Sequence, residues 1–216
     1  MKNNRTRIKI CGLTRSDDIL QALHLGVDAL GFVFYPPSKR YVSPQQASQL
    51  TKDLPAFVST VALFVDPSPS EVNEVIHAMR PSLLQFHGNE SQAFCSSFGL
   101  PYLKAFRVGA PELDTPENIA KFCARYVDAA GWLFDSYTAA YGGSGQGFDY
   151  ALLSRILAPS SHSRSLIISG GLNAQNVANA LELLQPWAVD VSSGVEDSPG
   201  LKSLEKMVNF VSAIRH

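Results

Sequence analysis

Eight short apolar runs, spaced so that a helix fits after each, constrain this 216-residue chain more than any other feature. They are RIKIC (7–11), ALGFVF (29–34), STVALFV (59–65), LLQF (83–86), YLKAF (102–106), GWLFD (131–135), LIIS (166–169) and AVDVS (188–192). The segments between them carry helical spacing: Ile19, Leu20, Leu23 and Gly26 share one face, and Val177, Leu181 and Leu184 another. Ser43, Ser68 and Thr115 each precede a proline, which pairs a capping side chain with a proline at the first helical position. Asn173 stands where it can cap the seventh helix.

Strands that read as continuous apolar runs are those of a parallel sheet with helices on one face and a packed interior on the other. Eight strand-helix units have two main solutions, a closed barrel or an open doubly wound sheet. Dividing 216 residues by eight leaves 27 for each strand, helix and pair of loops, which suits a compact α/β architecture, a (βα)8 TIM barrel of one domain spanning 1–216. The open sheet ranks second, because a strand count does not establish closure. No linker or low-complexity tract divides the chain, and the chemically unusual residues follow the strands, where barrels build their active sites.

Charge and cysteine content narrow the partners. With 18 basic and 19 acidic residues the formal charge is -1, so no global field recruits nucleic acid or an anionic membrane. No apolar run approaches the roughly 18 residues of a membrane span, and MKNNRTRIKI lacks the pattern of a secretory signal. Cys11, Cys95 and Cys123 are odd in number and far apart, which argues against a disulfide framework and for a cytoplasmic location. Neither a C-x-x-C pair nor an H-E-x-x-H helix supports zinc, so the expected metal set is none.

Candidate site residues follow the strands in turn. Cys11 closes the first strand; a lone cysteine is more often a small core residue, yet at this place it can face the mouth of a barrel. Asp135 closes the sixth, where a carboxylate serves equally as a cap or as an acid. Together they form a possible acid/base pair across one cavity. Arg40, beside Lys39 in the stiff YPPSKRYVS loop, suits bidentate capture of a carboxylate or phosphate, although most loop arginines are solvated. His87 has a supporting role. The loop YTAAYGGSGQGFDY, with Gly143 and Ser144, reads as a cover or anion-contacting loop; its spacing is wrong for a dinucleotide fingerprint. Gly170, Gly171, Ser193 and Gly194 expose backbone N–H groups after strands seven and eight, where barrels commonly hold phosphate. The competing explanation is two tight turns that need glycine.

The ordered segments KICGLTR, GFVFYPPSKRYVS, LLQFHG, LFDS, GGSGQGFDY, ISGGLNAQNV and VDVSSGVEDSPGLK resemble the phosphoribosylanthranilate isomerase family over nearly the whole chain. Three places depart from the family pattern: Phe86 stands for a leucine, Asp66 for a small polar residue such as asparagine, and an acidic residue is expected near Ser203. The resemblance implies an Amadori rearrangement of N-(5'-phosphoribosyl)anthranilate in tryptophan biosynthesis, with no cofactor, by a monomer acting on a small phosphorylated molecule. It gives Asp135 the role of general acid, Cys11 that of general base, and Arg40 that of partner to the anthranilate carboxylate. Asp135 must then keep a useful fraction of its protons near neutral pH, whereas a thiol of intrinsic pKa roughly 8.5 needs only a modest push toward thiolate. Gly12 would leave room beside that thiol. Two alternatives stay open: another sugar-phosphate isomerase on the same scaffold, and a catalytically silent phosphate-binding barrel.

Overall fold

The computed structural model describes residues 5–137, 147–157 and 164–215. Eight parallel strands, β1 (Arg7–Cys11), β2 (Ala29–Val33), β3 (Ser59–Phe64), β4 (Leu83–Phe86), β5 (Tyr102–Val108), β6 (Gly131–Ser136), β7 (Ser165–Ile168) and β8 (Ala188–Val191), close into a barrel in sequence order. The pairing that decides for closure runs from Arg7↔Ala188 to Ile10↔Val191, so β8 returns to β1 and the open-sheet alternative falls. The helices are α1 (Ser16–His24), α2 (Pro44–Thr51), α3 (Pro69–Met79), α4 (Gln92–Ser96), α5 (Pro116–Cys123), α6 (Val177–Leu184) and α7 (Leu204–Arg215). Among the described residues the unit after β6 holds only a 3-10 turn, Tyr150–Leu153.

Alternation along each strand sorts the residues into two cores. Val61, Leu103, Ala105, Leu133, Ile167 and Ala188 point inward and fill the barrel, whereas Ile8, Ile10, Phe32, Phe64, Phe86, Phe106 and Phe134 point outward beneath the helices. Phe86, one of the three departures, belongs to that outer layer: it packs against Phe64, Phe94, Phe98 and Tyr102, away from the mouth. Asp66 sits at φ 47, a left-handed conformation that aspartate shares with asparagine.

The caps form where the sequence places them. Ser43 and Ser68 accept from the backbone of Gln46 and Glu71, whose side chains reach back to complete capping boxes, and Thr115 accepts from Asn118. Asn173 differs from expectation. Its Oδ1 accepts the Gln175 and Asn176 amides at 2.9 and 3.2 Å, so it caps a turn that leads into the sixth α-helix, which begins only at Val177. After β8 the chain makes a short hairpin, β9 (Glu196–Ser198) with β10 (Leu201–Lys202), turned through Pro199 and Gly200 at φ 86.

Candidate active site

The carboxyl ends of the strands surround an open cavity of about 740 Å³, lined among others by Cys11, Arg40, His87, Asp135, Gly170, Gly171 and Ser193. One wall is apolar: Val33, Leu63, Val65 and Tyr35 pack around Cys11. Position along the strands explains the arrangement. Cys11 and Asp135 are the inward-facing residues nearest the ends of β1 and β6, and both look into the same space.

Cys11 is buried, and beneath it on the inner face stand two charged side chains. Lys9, two residues earlier, donates to Asp190 Oδ1 at 2.9 Å, an ion pair with both side chains buried. Burial pushes the Cys11 thiol up; Lys9 and Lys202 pull it down, and Asp190 adds to the push. The surroundings of Cys11 therefore oppose the thiolate on balance rather than supplying the expected modest push. The room for the thiol comes from Gly31, where a Cβ would lie 2.8 Å from Cys11 Sγ and 3.0 Å from its Cα. Gly12, at φ 77, serves another purpose: a side chain there would collide with the stem of Arg40.

Both oxygens of Asp135 have partners. Oδ1 accepts the Ser136 amide at 2.9 Å, and Oδ2 lies 3.0 Å from His87 Nε2. The Gln85 side-chain amide lies 3.3 Å from His87 Nδ1, so both ring nitrogens of His87 have a polar neighbour. Gly170, at φ 79, passes so close that a Cβ would stand 2.9 Å from Asp135 Oδ1 and collide with the Ser136 nitrogen. Thus the glycine after β7 packs against the carboxylate of β6.

Arg40 is buried and already engaged. Its Nε and Nη2 fork onto Glu196 at 2.8 and 2.6 Å. Lys202, also buried, donates to Glu196 Oε1 at 2.7 Å and to the Cys11 carbonyl at 2.6 Å. Burial works against the charge of Glu196, but Arg40 and Lys202 outweigh it and hold the carboxyl below its usual range.

At the other rim Gly170, Gly171 and Ser193 line the cavity, whereas Gly194 does not. A side chain at Gly194 would collide with the Leu172 carbonyl, so this glycine lets the loops after β7 and β8 touch. Gly143 and Ser144 lie outside the described residues. No three His, Cys, Asp or Glu side chains among the described residues converge to hold a metal ion. No helix among them is long and apolar enough to cross a membrane.

Comparison with known proteins settles the class. The model of N-(5'phosphoribosyl)anthranilate (PRA) isomerase matches residues 8–213. The chain is 58% identical over 211 residues, 98% of its length and 96% of the relative's, to N-(5'-phosphoribosyl)anthranilate isomerase of Bordetella petrii. It belongs to the PRA isomerase family. The solved phosphoribosyl anthranilate isomerase of Thermotoga maritima superposes with a TM-score of 0.86 at 37% identity, covering 97% of this chain and 98% of that one. A second solved structure, at TM-score 0.84 and 33% identity with the same coverage, is described as phosphoribosyl anthranilate isomerase in complex with reduced 1-(o-carboxyphenylamino)-1-deoxyribulose 5-phosphate. The protein is thus an isomerase of tryptophan biosynthesis.

Within this PRA isomerase barrel, the residues that sequence reasoning overlooked are Lys9, Gly31, Gln85, Asp190, Glu196 and Lys202. A signal existed for two of them. Lys9 stands between Ile8 and Ile10, and Asp190 between Val189 and Val191, so each is a charge at an inward position of an otherwise apolar strand.

Proposed function

We propose that Cys11 and Asp135 carry the Amadori rearrangement of N-(5'-phosphoribosyl)anthranilate to 1-(2-carboxyphenylamino)-1-deoxyribulose 5-phosphate. The carrying observation is that the two side chains line one cavity whose rim also holds Arg40 and the glycine loops after β7 and β8. In this reading Gly170, Gly171 and Ser193 take the phosphate, with backbone N–H groups as donors. The aryl ring lies against Val33, Leu63 and Val65, and its carboxylate meets the Arg40 guanidinium, two of whose nitrogens Glu196 holds in place. The ligand described for the relative, a phosphorylated aryl amino sugar, has the same three parts.

Asp135 gives a proton to the ribose ring oxygen, the C1'–O bond breaks, and the nitrogen lone pair forms the Schiff base. Cys11 as thiolate removes the C2' proton, and the C–H electron pair becomes the double bond of an enolamine. The enolamine gains a proton at C1' and loses one from the 2'-hydroxyl, which leaves the ketone. One proton has left Asp135 and one has reached Cys11, so the enzyme resets when the thiol gives its proton to solvent and Asp135 takes one up; His87, 3.0 Å from Asp135, holds that carboxyl in place.

The test follows the loss of anthranilate-type fluorescence with freshly generated phosphoribosylanthranilate. Wild type should consume it rapidly, and Cys11→Ala and Asp135→Asn should each lose about 10²–10⁴-fold in kcat while keeping affinity for a phosphate ligand. Normal turnover by either variant would remove that residue from its role.

A further inference from the structure

A buried lysine stands beside the Cys11 thiol, and none of the steps above uses it. Lys9 and Cys11 are two residues apart on β1 and so share its inward face. Both crowd the same glycine: a Cβ on Gly31 would lie 2.8 Å from Cys11 Sγ and 3.1 Å from Lys9 Cε. The Lys9 ammonium is fixed from the far side by Asp190, its partner in the register that closes the barrel, at 2.9 Å. Its charge also attracts the Cys11 sulfur, which favours the charged form of each.

We propose that Lys9 is a positioning residue for the reaction, an interior cation aimed by Asp190 at the Cys11 sulfur so that the thiolate can form inside the barrel. This rests on the assignment of Cys11 as base and adds how a buried thiol performs that role. The physical need is plain. An isolated thiolate out of water is expensive, and a fixed positive charge nearby offsets that cost. Lys9 is suited to it: burial works against its charge, but Asp190 and Cys11 outweigh that and hold the ammonium above its ordinary range. The remaining charges facing Cys11 are Lys202 of the hairpin and Arg40 of the loop after β2, and both are committed to Glu196. Across the cavity stand Asp135 and His87. Lys9 is therefore the cation whose partner, Asp190, belongs to the barrel interior itself. Cys123 supplies the contrast: burial pushes its thiol up, and the opposing pull comes from the backbone.

The experiment compares wild type, Lys9→Met and Lys9→Arg, each checked for folding by circular dichroism. Alkylation of Cys11 by iodoacetamide, mapped by mass spectrometry, is followed against pH together with kcat/KM. Lys9→Met should move the rise in alkylation and the acidic limb of kcat/KM to higher pH together, by about one unit or more, and Lys9→Arg should recover most of the shift. Curves that stay at their wild-type pH in Lys9→Met, even with slower turnover, would reduce Lys9 to packing and overturn the proposal. Normal turnover by Cys11→Ala would instead overturn the base assignment, and the two failures appear in different variants. If Lys9→Met does not fold, the ultraviolet thiolate titration of wild type minus Cys11→Ser, set beside wild type minus Cys123→Ser, decides the matter. A midpoint for Cys11 below that of Cys123 upholds the proposal, and one at or above it refutes it.

Discussion

One methyl group measures how closely the mouth of this barrel is fitted. Gly31 is buried at an unremarkable φ, so alanine there meets no backbone strain, yet its Cβ would press within 2.8 Å of the Cys11 sulfur and 3.0 Å of the Cys11 Cα. One contact is backbone, so β1 must shift to relieve it. We expect Gly31→Ala to cost about 1–3 kcal/mol of stability and to lower kcat by up to about 10²-fold through misplacement of the thiol, with KM changed far less. Steady-state kinetics beside urea unfolding would read both; an unchanged kcat would show that the thiol tolerates displacement. At this scale the place of Cys11 and Asp135 at the mouth was legible because each ends an apolar run with chemistry that a core does not need. Gly31 was not. Its function depends on β1 and β2 lying side by side, with Cys11 opposite Gly31, which no local pattern declares. Arg40 was legible as an anion-seeking side chain, but its fork onto Glu196 joins residues far apart in sequence and waited for the fold.

The elements were the most readable level, since strand alternation and helix caps are local physics. All eight strands fall within a few residues of the apolar runs, and three proline-marked caps form as written. Where reading failed, the stabilising partner was remote or the element was short. The β9 and β10 strands have three and two residues, too few for a pattern, and the hairpin is held by Lys202 and Glu196 rather than by propensity. The capping box of α3 offers a test confined to this scale. Ser68 Oγ accepts the Glu71 amide while Glu71 Oε2 accepts the Ser68 amide at 2.7 Å, and neither side chain lines the cavity. Ser68→Ala should cost about 1 kcal/mol and lower Tm by about 2–4 °C for a chain of this size, with kcat and KM unchanged. Calorimetry and a steady-state assay on one preparation would check both halves, and a change in kcat would show that α3 is coupled to the site.

For the molecule as a whole, eight spaced runs made the barrel readable, but what locks its mouth was hidden. Glu196 gathers Arg40 from the loop after β2 and Lys202 from the hairpin, while Lys202 also binds the Cys11 carbonyl at the end of β1 and the Ser192 carbonyl just past β8. One carboxylate thus ties together the two strands where the barrel closes. Its side chain is 3% exposed, so removing its charge strands two buried cations, and Glu196→Gln should cost about 3–5 kcal/mol. The pH dependence follows from the direction of its shift. Glu196 is held below the ordinary carboxyl range in the folded chain, so it stabilises fully above its unfolded value near about 4.3 and loses that contribution as pH falls through the lower folded value. The stability gap between wild type and Glu196→Gln, measured by urea unfolding, should therefore be constant from neutrality down to about pH 5 and shrink below about pH 4. A gap that holds its size in acid would mean that Glu196 acts through shape alone. A gap that closes would make this one carboxylate an acid-sensitive fastener of the barrel, beside the wall that carries Cys11.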